Sequence, residues 1–137
     1  MNLPLTGGCA CGAVRYECTA EPLIMLNCHC RDCQQASGGP YVAGIIVPPE
    51  AFRLTKGELR YFTVDSPPGG KHTRGFCAEC GSRVVGVIGN DSPTGICAAS
   101  LDDPSIFKPR MDIYVSDAQP WTHFDPKLKK FDTSPLK

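Results

Sequence analysis

The chain has 137 residues, enough for one ordinary domain with a real core, so bound metal need not be its only source of stability. Its 14 Lys and Arg balance 14 Asp and Glu, which leaves no global field to hold a nucleic-acid backbone or an acidic membrane and favours a small neutral partner. No run approaches eighteen apolar residues, and the first eight residues lack the basic start and apolar stretch of a secretion signal; the expectation is a cytoplasmic protein.

Short segments rich in β-branched and aromatic residues recur along the chain at 13–18, 41–47, 52–55, 59–64, 83–88 and 111–115, which predicts an all-β protein. The 14 glycines and 13 prolines punctuate them, with turn signals at Pro48-Pro49, Lys56-Gly57, Pro67-Pro68-Gly69-Gly70, Gly89-Asn90-Asp91 and Asp102-Asp103-Pro104. One short helical turn is expected over Arg31–Ser37, where Gln34, Gln35 and Ala36 lack β-branching and Gly38 supplies a left-handed stop. No repeat or internal boundary breaks the chain, so residues 1–137 read as a single domain, with a polar arm after Trp121 wrapping its surface.

Nine cysteines without a secretion signal point to metal or redox chemistry, because cytosolic thiols stay reduced. Seven of them fall in three groups: Cys9-Ala10-Cys11-Gly12, Cys28-His29-Cys30-Arg31-Asp32-Cys33 and Cys77-Ala78-Glu79-Cys80-Gly81. Structural zinc takes four ligands in a closed tetrahedron, and Cys9, Cys11, Cys77 and Cys80 supply two distant pairs; iron also fits four cysteines, though zinc is commoner in this arrangement. Gly12 and Gly81 follow those pairs and permit the positive φ that a tight metal turn needs. Cys28, Cys30 and Cys33 are three ligands within six residues, the count that leaves an open position in a catalytic site. Cys18, Cys97 or His29 could instead fold over and close that second site.

These residues, together with Gly7-Gly8, Ala13-Val14-Arg15-Tyr16, Gln34-Gln35-Ala36-Ser37-Gly38, Phe76 and Ser82, resemble the glutathione-dependent formaldehyde-activating enzyme and centromere protein V family. The resemblance runs from Gly7 to Ile113-Tyr114-Val115 and Trp121. It implies a β-tent fold of antiparallel sheets, a structural zinc on Cys9, Cys11, Cys77 and Cys80, and a catalytic zinc on Cys28, Cys30 and Cys33. It also implies a carbon-sulfur lyase activity of the kind that forms S-hydroxymethylglutathione from formaldehyde and glutathione.

Three thiolates leave a divalent zinc site at a net charge of about −1, a weak acidifier of water that favours a soft fourth ligand such as a substrate thiolate. A zinc-dependent enzyme joining a small thiol to an aldehyde or related electrophile is the reading this supports. The alternative is a non-enzymatic zinc module for protein or nucleic-acid interaction, against which the charge balance counts for nucleic acid. A dithiol redox protein, suggested by the C-x-x-C pairs Cys30 to Cys33 and Cys77 to Cys80, lacks the expected βαβ context.

Other residues read as structural. Cys18 and Cys97 are expected to be small buried hydrophobes, and His29, His72 and His123 to be surface residues, with His29 alternating away from its flanking cysteines. Arg31 and Asp32, lying between ligands, could orient a sulfur, meet a substrate carboxylate or simply face solvent. Ser37 reads as part of the helix stop, Trp121 and Phe124 as packing for the C-terminal arm, and Lys127-Leu128-Lys129-Lys130 as a solvated face.

Overall fold

Alternation of buried and exposed positions along short strands builds two sheets, described over residues 1–66, 70–88 and 94–135 of a computed structural model. The predicted turn at 89–91 lies outside the described residues, as does that at 67–70 except for Gly70, which begins β7. The smaller sheet has the order β1-β2-β5, from β1 (Leu5–Gly8), β2 (Arg15–Cys18) and β5 (Phe52–Lys56). The larger is formed by β3 (Ile24–Cys28), β4 (Val42–Val47), β6 (Arg60–Ser66), β7 (Gly70–Phe76), β8 (Arg83–Ile88), β9 (Thr94–Cys97), β10 (Met111–Ile113) and β11 (Lys129–Lys130). Its order is β11-β10-β3-β4-β9-β8-β7-β6, and it is antiparallel except where β10 runs parallel to β3 and β11.

Register explains which face is core. Met25, Ile45, Ile96 and Val85 are successive cross-strand partners and point one way, into a cluster shared with Leu5, Val14, Tyr16 and Cys18 of the smaller sheet's side. The core therefore lies between the two sheets. Burying each such aliphatic side chain contributes about 1.5–3 kcal/mol. The opposite face carries Cys28, Gly44, Cys97, Gly95, Gly86, Arg74 and Phe62 along the same strands. Helix α1 (Arg31–Ser37), the expected helical turn, packs on β4 and ends at Gly38 in the left-handed conformation, φ 71°.

Several elements depart from expectation. β1 reads poorly because half of it is glycine, yet a Cβ at Gly7 would sit 2.3 Å from the Ser100 carbonyl oxygen and 2.4 Å from the Tyr16 hydroxyl. Close packing against Tyr16, itself hydrogen-bonded to Ser100 Oγ at 2.7 Å, outweighs propensity there. β3, β7, β9 and β11 were also not predicted. β7 is polar (Gly-Lys-His-Thr-Arg-Gly-Phe) because alternate residues face the site described below instead of a hydrophobic layer. The predicted strand 111–115 stops at Ile113, since Tyr114 turns the chain with a positive φ of 58°. The C-terminal arm supplies β11 and extends the ladder, with Phe131 N–H donating to the Asp112 carbonyl at 3.0 Å and Val115 N–H to Phe131 at 3.0 Å. Among the described residues no helix is long and apolar enough to cross a membrane.

Two candidate metal centres

The first centre joins two hairpin turns from different sheets. Cys9 and Cys11 lie in the β1–β2 turn, and Cys77 and Cys80 in the β7–β8 turn; their four sulfurs all lie within 4.8 Å of one another. Four sulfurs at about 2.3 Å from a tetrahedral zinc are separated by about 3.8 Å. The Cys9–Cys11 and Cys11–Cys77 sulfur distances are 3.6 and 3.8 Å, so the thiols stand close to the edges such an ion requires.

The turns are shaped for the task. Gly12 and Gly81 adopt φ of 81° and 76°, the positive values expected after each pair. Val14 N–H donates to Cys9 Sγ at 3.2 Å, which lowers that thiol, and Glu79 N–H donates to Cys77 Sγ at 3.4 Å. Ser82 stitches the turns together: its Oγ accepts from Ala10 N–H at 3.1 Å and lies 3.2 Å from Cys80 Sγ. Hydrogen bonding from Ser82 holds Cys80 down at about 5.

The second centre is local. Cys28 ends β3, Cys30 is the N-cap of α1, and Cys33 lies in the first turn, with all three sulfurs within 4.8 Å of one another. Cys30 Sγ accepts the Cys33 N–H at 3.3 Å, so the cap satisfies a backbone donor and aims its sulfur at the same point. Hydrogen bonds from the Cys28 and Cys33 thiols hold Cys30 down at about 2, while the Cys30 thiolate pushes Cys28 up to about 12 and, after Cys28, also raises Cys33. Without a cation, the three sulfurs share essentially one negative charge; a divalent ion is what would let all three be thiolates. Among the described residues no fourth Cys, His, Asp or Glu joins this group.

The residues that could have closed it are engaged elsewhere. Cys18 is fully buried in the core, as expected, and Cys97 is half-buried, its thiol pushed up by desolvation. His29 does alternate away from the cysteines, but inward: it is 1% exposed, not a surface residue. β10 and the C-terminal arm cover that side. There His29 Nε2 donates to Asp112 Oδ1 at 2.9 Å, and its ring lies between Tyr41 and Phe124 at centroid distances of 5.1 and 5.0 Å. Asp112 also accepts from Asn27 at 3.2 Å and pairs with Lys130 Nζ at 3.0 Å. Lys130 is thus an anchor and not simply part of a solvated run. Phe124 packs as expected, whereas Trp121 is 60% exposed and does not pin the arm.

Sequence reasoning missed the residues that hold α1 in place. Buried Gln34 donates through Nε2 to the carbonyls of His29 at 2.7 Å and Asp117 at 2.9 Å, and its Oε1 accepts from Arg31 at 2.5 Å and Gln119 at 3.1 Å. Asp32 resolves its open alternatives by turning to the sheet, accepting from His72 Nδ1 at 2.8 Å and Arg74 Nη1 at 3.0 Å. His72 is consequently half-buried, contrary to expectation, while His123 is exposed as expected. Ser37 completes the helix stop, accepting the Gly39 N–H at 3.1 Å. Tyr114 borders the centre: burial, then the charges of Cys28 and Cys30, push its hydroxyl up. The contacts of Asp32 with His72 and Arg74, and of Gln34 with Asp117 and Gln119, join residues far apart in sequence, which no local pattern shows.

A cleft of about 400 Å³ opens beside α1, between Gln35 and Ala36 on the helix and Phe62, Arg74, Phe76 and Arg83 on the sheet, and reaches Gly81 at the first centre.

A mostly β protein that gathers four cysteines at one point and three at another has two centres able to bind metal ions. The chain belongs to the glutathione-dependent formaldehyde-activating enzyme family, whose model matches residues 4–117. A crystal structure of a Rhodobacter sphaeroides protein, from structural genomics, shares the fold at 23% identity and a TM-score of 0.54, over 71% of this chain and 87% of that one.

Proposed function

We propose that the protein is a zinc-dependent carbon-sulfur lyase-like enzyme that combines a small thiol, of which glutathione is the family's example, with an aldehyde or related electrophile. The observation that carries this reading is the three-sulfur group at the N-terminus of α1, which has no fourth protein ligand among the described residues; a cleft runs along the same helix at Gln35 and Ala36. The four-cysteine centre, joining turns 66 residues apart, is assigned the structural zinc, and Cys28, Cys30 and Cys33 hold the catalytic one. Zinc bound by three thiolates supplies an open position that favours sulfur and a thiol in its thiolate form.

The chain's own residues position the reactants. Gln34 and Asp32 fix α1, and with it Cys30 and Cys33, against the Cys28 strand and the sheet, while the cleft walls hold the thiol's body. The thiol sulfur adds to the carbonyl carbon; the carbon-sulfur bond forms, the carbonyl π bond breaks, and the proton lost by the thiol ends on oxygen. The reverse step returns both reactants.

The test is acceleration of glutathione–formaldehyde exchange, read by ¹³C exchange NMR. Zinc-loaded protein raises the exchange rate, and Cys30→Ser with a retained fold returns it to the uncatalysed value. An unchanged rate in that variant would refute the assignment.

A further inference from the structure

The sheet face beyond α1 carries more positive charge than it balances. Asp32 spends both oxygens on His72 and Arg74, and since its carboxylate can only accept, His72 Nδ1 is the donor and its Nε2 faces Arg83. Arg83 Nη2 approaches that Nε2 at 3.5 Å. Arg83 Nε and Nη1 are buried with no hydrogen-bond partner, and no carboxylate pairs with Arg83 among the described residues. A buried guanidinium with idle donors is costly, and its planar fork matches a carboxylate.

The surroundings make room for it. A Cβ at Gly86 would lie 2.9 Å from Arg83 Nη2 and 3.1 Å from His72 Nε2, so glycine is what lets both side chains lie across this strand. Arg74 is held over the Phe62 ring at 5.0 Å, and both arginines line the cleft beside α1. Asp32 ties this cluster directly to the helix that bears Cys33.

We infer that Arg83, supported by Arg74 and His72, forms an anion subsite that binds a carboxylate of the thiol substrate and so selects thiol acids over neutral thiols. This rests on the thiol chemistry proposed above and adds the determinant of its specificity. His72 links the two features, since it meets Arg83 and its charge acts on Cys30, so a thiol acid would place sulfur at the three cysteines and carboxylate at Arg83. Arg83 is a specificity residue and takes no part in bond making.

The experiment is calorimetric titration of zinc-loaded protein with glutathione, glutathione diethyl ester and S-methylglutathione. Wild type binds glutathione at least about tenfold more tightly than the diester, as charge-assisted hydrogen bonds of about 1.5–3 kcal/mol require. Arg83→Gln removes that preference, so that glutathione and the diester bind alike, and Arg83→Lys restores part of it. Gly86→Ala, which crowds Arg83 without altering charge, reduces the preference as well. Zinc retained at two per chain and an unchanged circular dichroism spectrum confirm that the variants fold. Equal affinity of acid and ester in wild type, or a preference that survives Arg83→Gln, overturns the subsite while leaving thiol binding intact. S-methylglutathione keeps the carboxylates but cannot bind as a thiolate. If it binds in an Arg83-dependent way while glutathione is no tighter, the subsite stands and the thiol chemistry falls; if none of the three binds, both fall.

Discussion

Removing the Asp112 carboxylate isolates a buried network on which the Cys28–Cys30 segment rests. The side chain is 3% exposed, accepts from His29 and Asn27, and forms an ion pair with Lys130. Asp112→Ala strands the buried donors of His29 and Asn27 and leaves Lys130 without its ion pair, and breaking such a buried pair from one side costs about 3–5 kcal/mol. Against a total stability of about 5–15 kcal/mol, and with a urea m of about 2 kcal/mol/M, the midpoint falls by roughly 2 M. Asp112→Asn keeps the shape and loses the charge, so it falls less. Burial alone would raise the Asp112 carboxyl, but His29, Lys130 and Asn27 outweigh it and hold it below the ordinary range. A depressed carboxyl contributes stability in full above its unfolded value of about 3.9, and the contribution is lost as pH falls through the lower folded value. The gap between wild type and Asp112→Asn therefore narrows below about pH 4. Urea melts of both variants at fixed free zinc, from neutral to acid pH, read this directly. An Asp112→Ala midpoint within about 0.5 M of wild type would refute the reasoning, because that loss is smaller than one stranded buried donor costs.

Cys77→Ser and Cys30→Ser should each release one zinc by elemental analysis, but with unequal consequences. Cys77→Ser unclips turns 66 residues apart and lowers the thermal midpoint sharply, whereas Cys30→Ser opens a site closed within six residues and lowers it little. Equal losses would contradict the division into structural and catalytic centres. Gly7→Ala forces a methyl into the Ser100 carbonyl and Tyr16 hydroxyl, and overpacking of this kind costs about 1–3 kcal/mol; a melt unchanged from wild type would mean that β1 is not packed as described.

Much of the cysteine clustering was legible in the sequence because each group is local. Cys9 with Cys11, Cys77 with Cys80, and the triplet Cys28, Cys30 and Cys33 announce themselves by spacing, and Gly12, Gly81 and Gly38 by the positive φ their positions demand. The strands at 42–47 and 83–88 were visible as β-branched runs. β1 and β7 were not, since one is half glycine and the other polar, and each is held by what it packs against. The same limit hid the site's supports. Asp32 meets β7 forty residues away, Gln34 meets Asp117, and His29 meets Asp112 across a parallel ladder that no local pattern foretells. Alternation correctly turned His29 away from its flanking cysteines but could not say whether the other side was solvent or core.

X-ray absorption at the zinc edge, with zinc content per chain and with and without glutathione, tests the open three-cysteine site most directly. The account predicts two zincs averaging about 3.5 sulfurs each, from four at one centre and three at the other, rising towards about four when the thiol is added. Two zincs already at about four sulfurs, and indifferent to thiol, would contradict it.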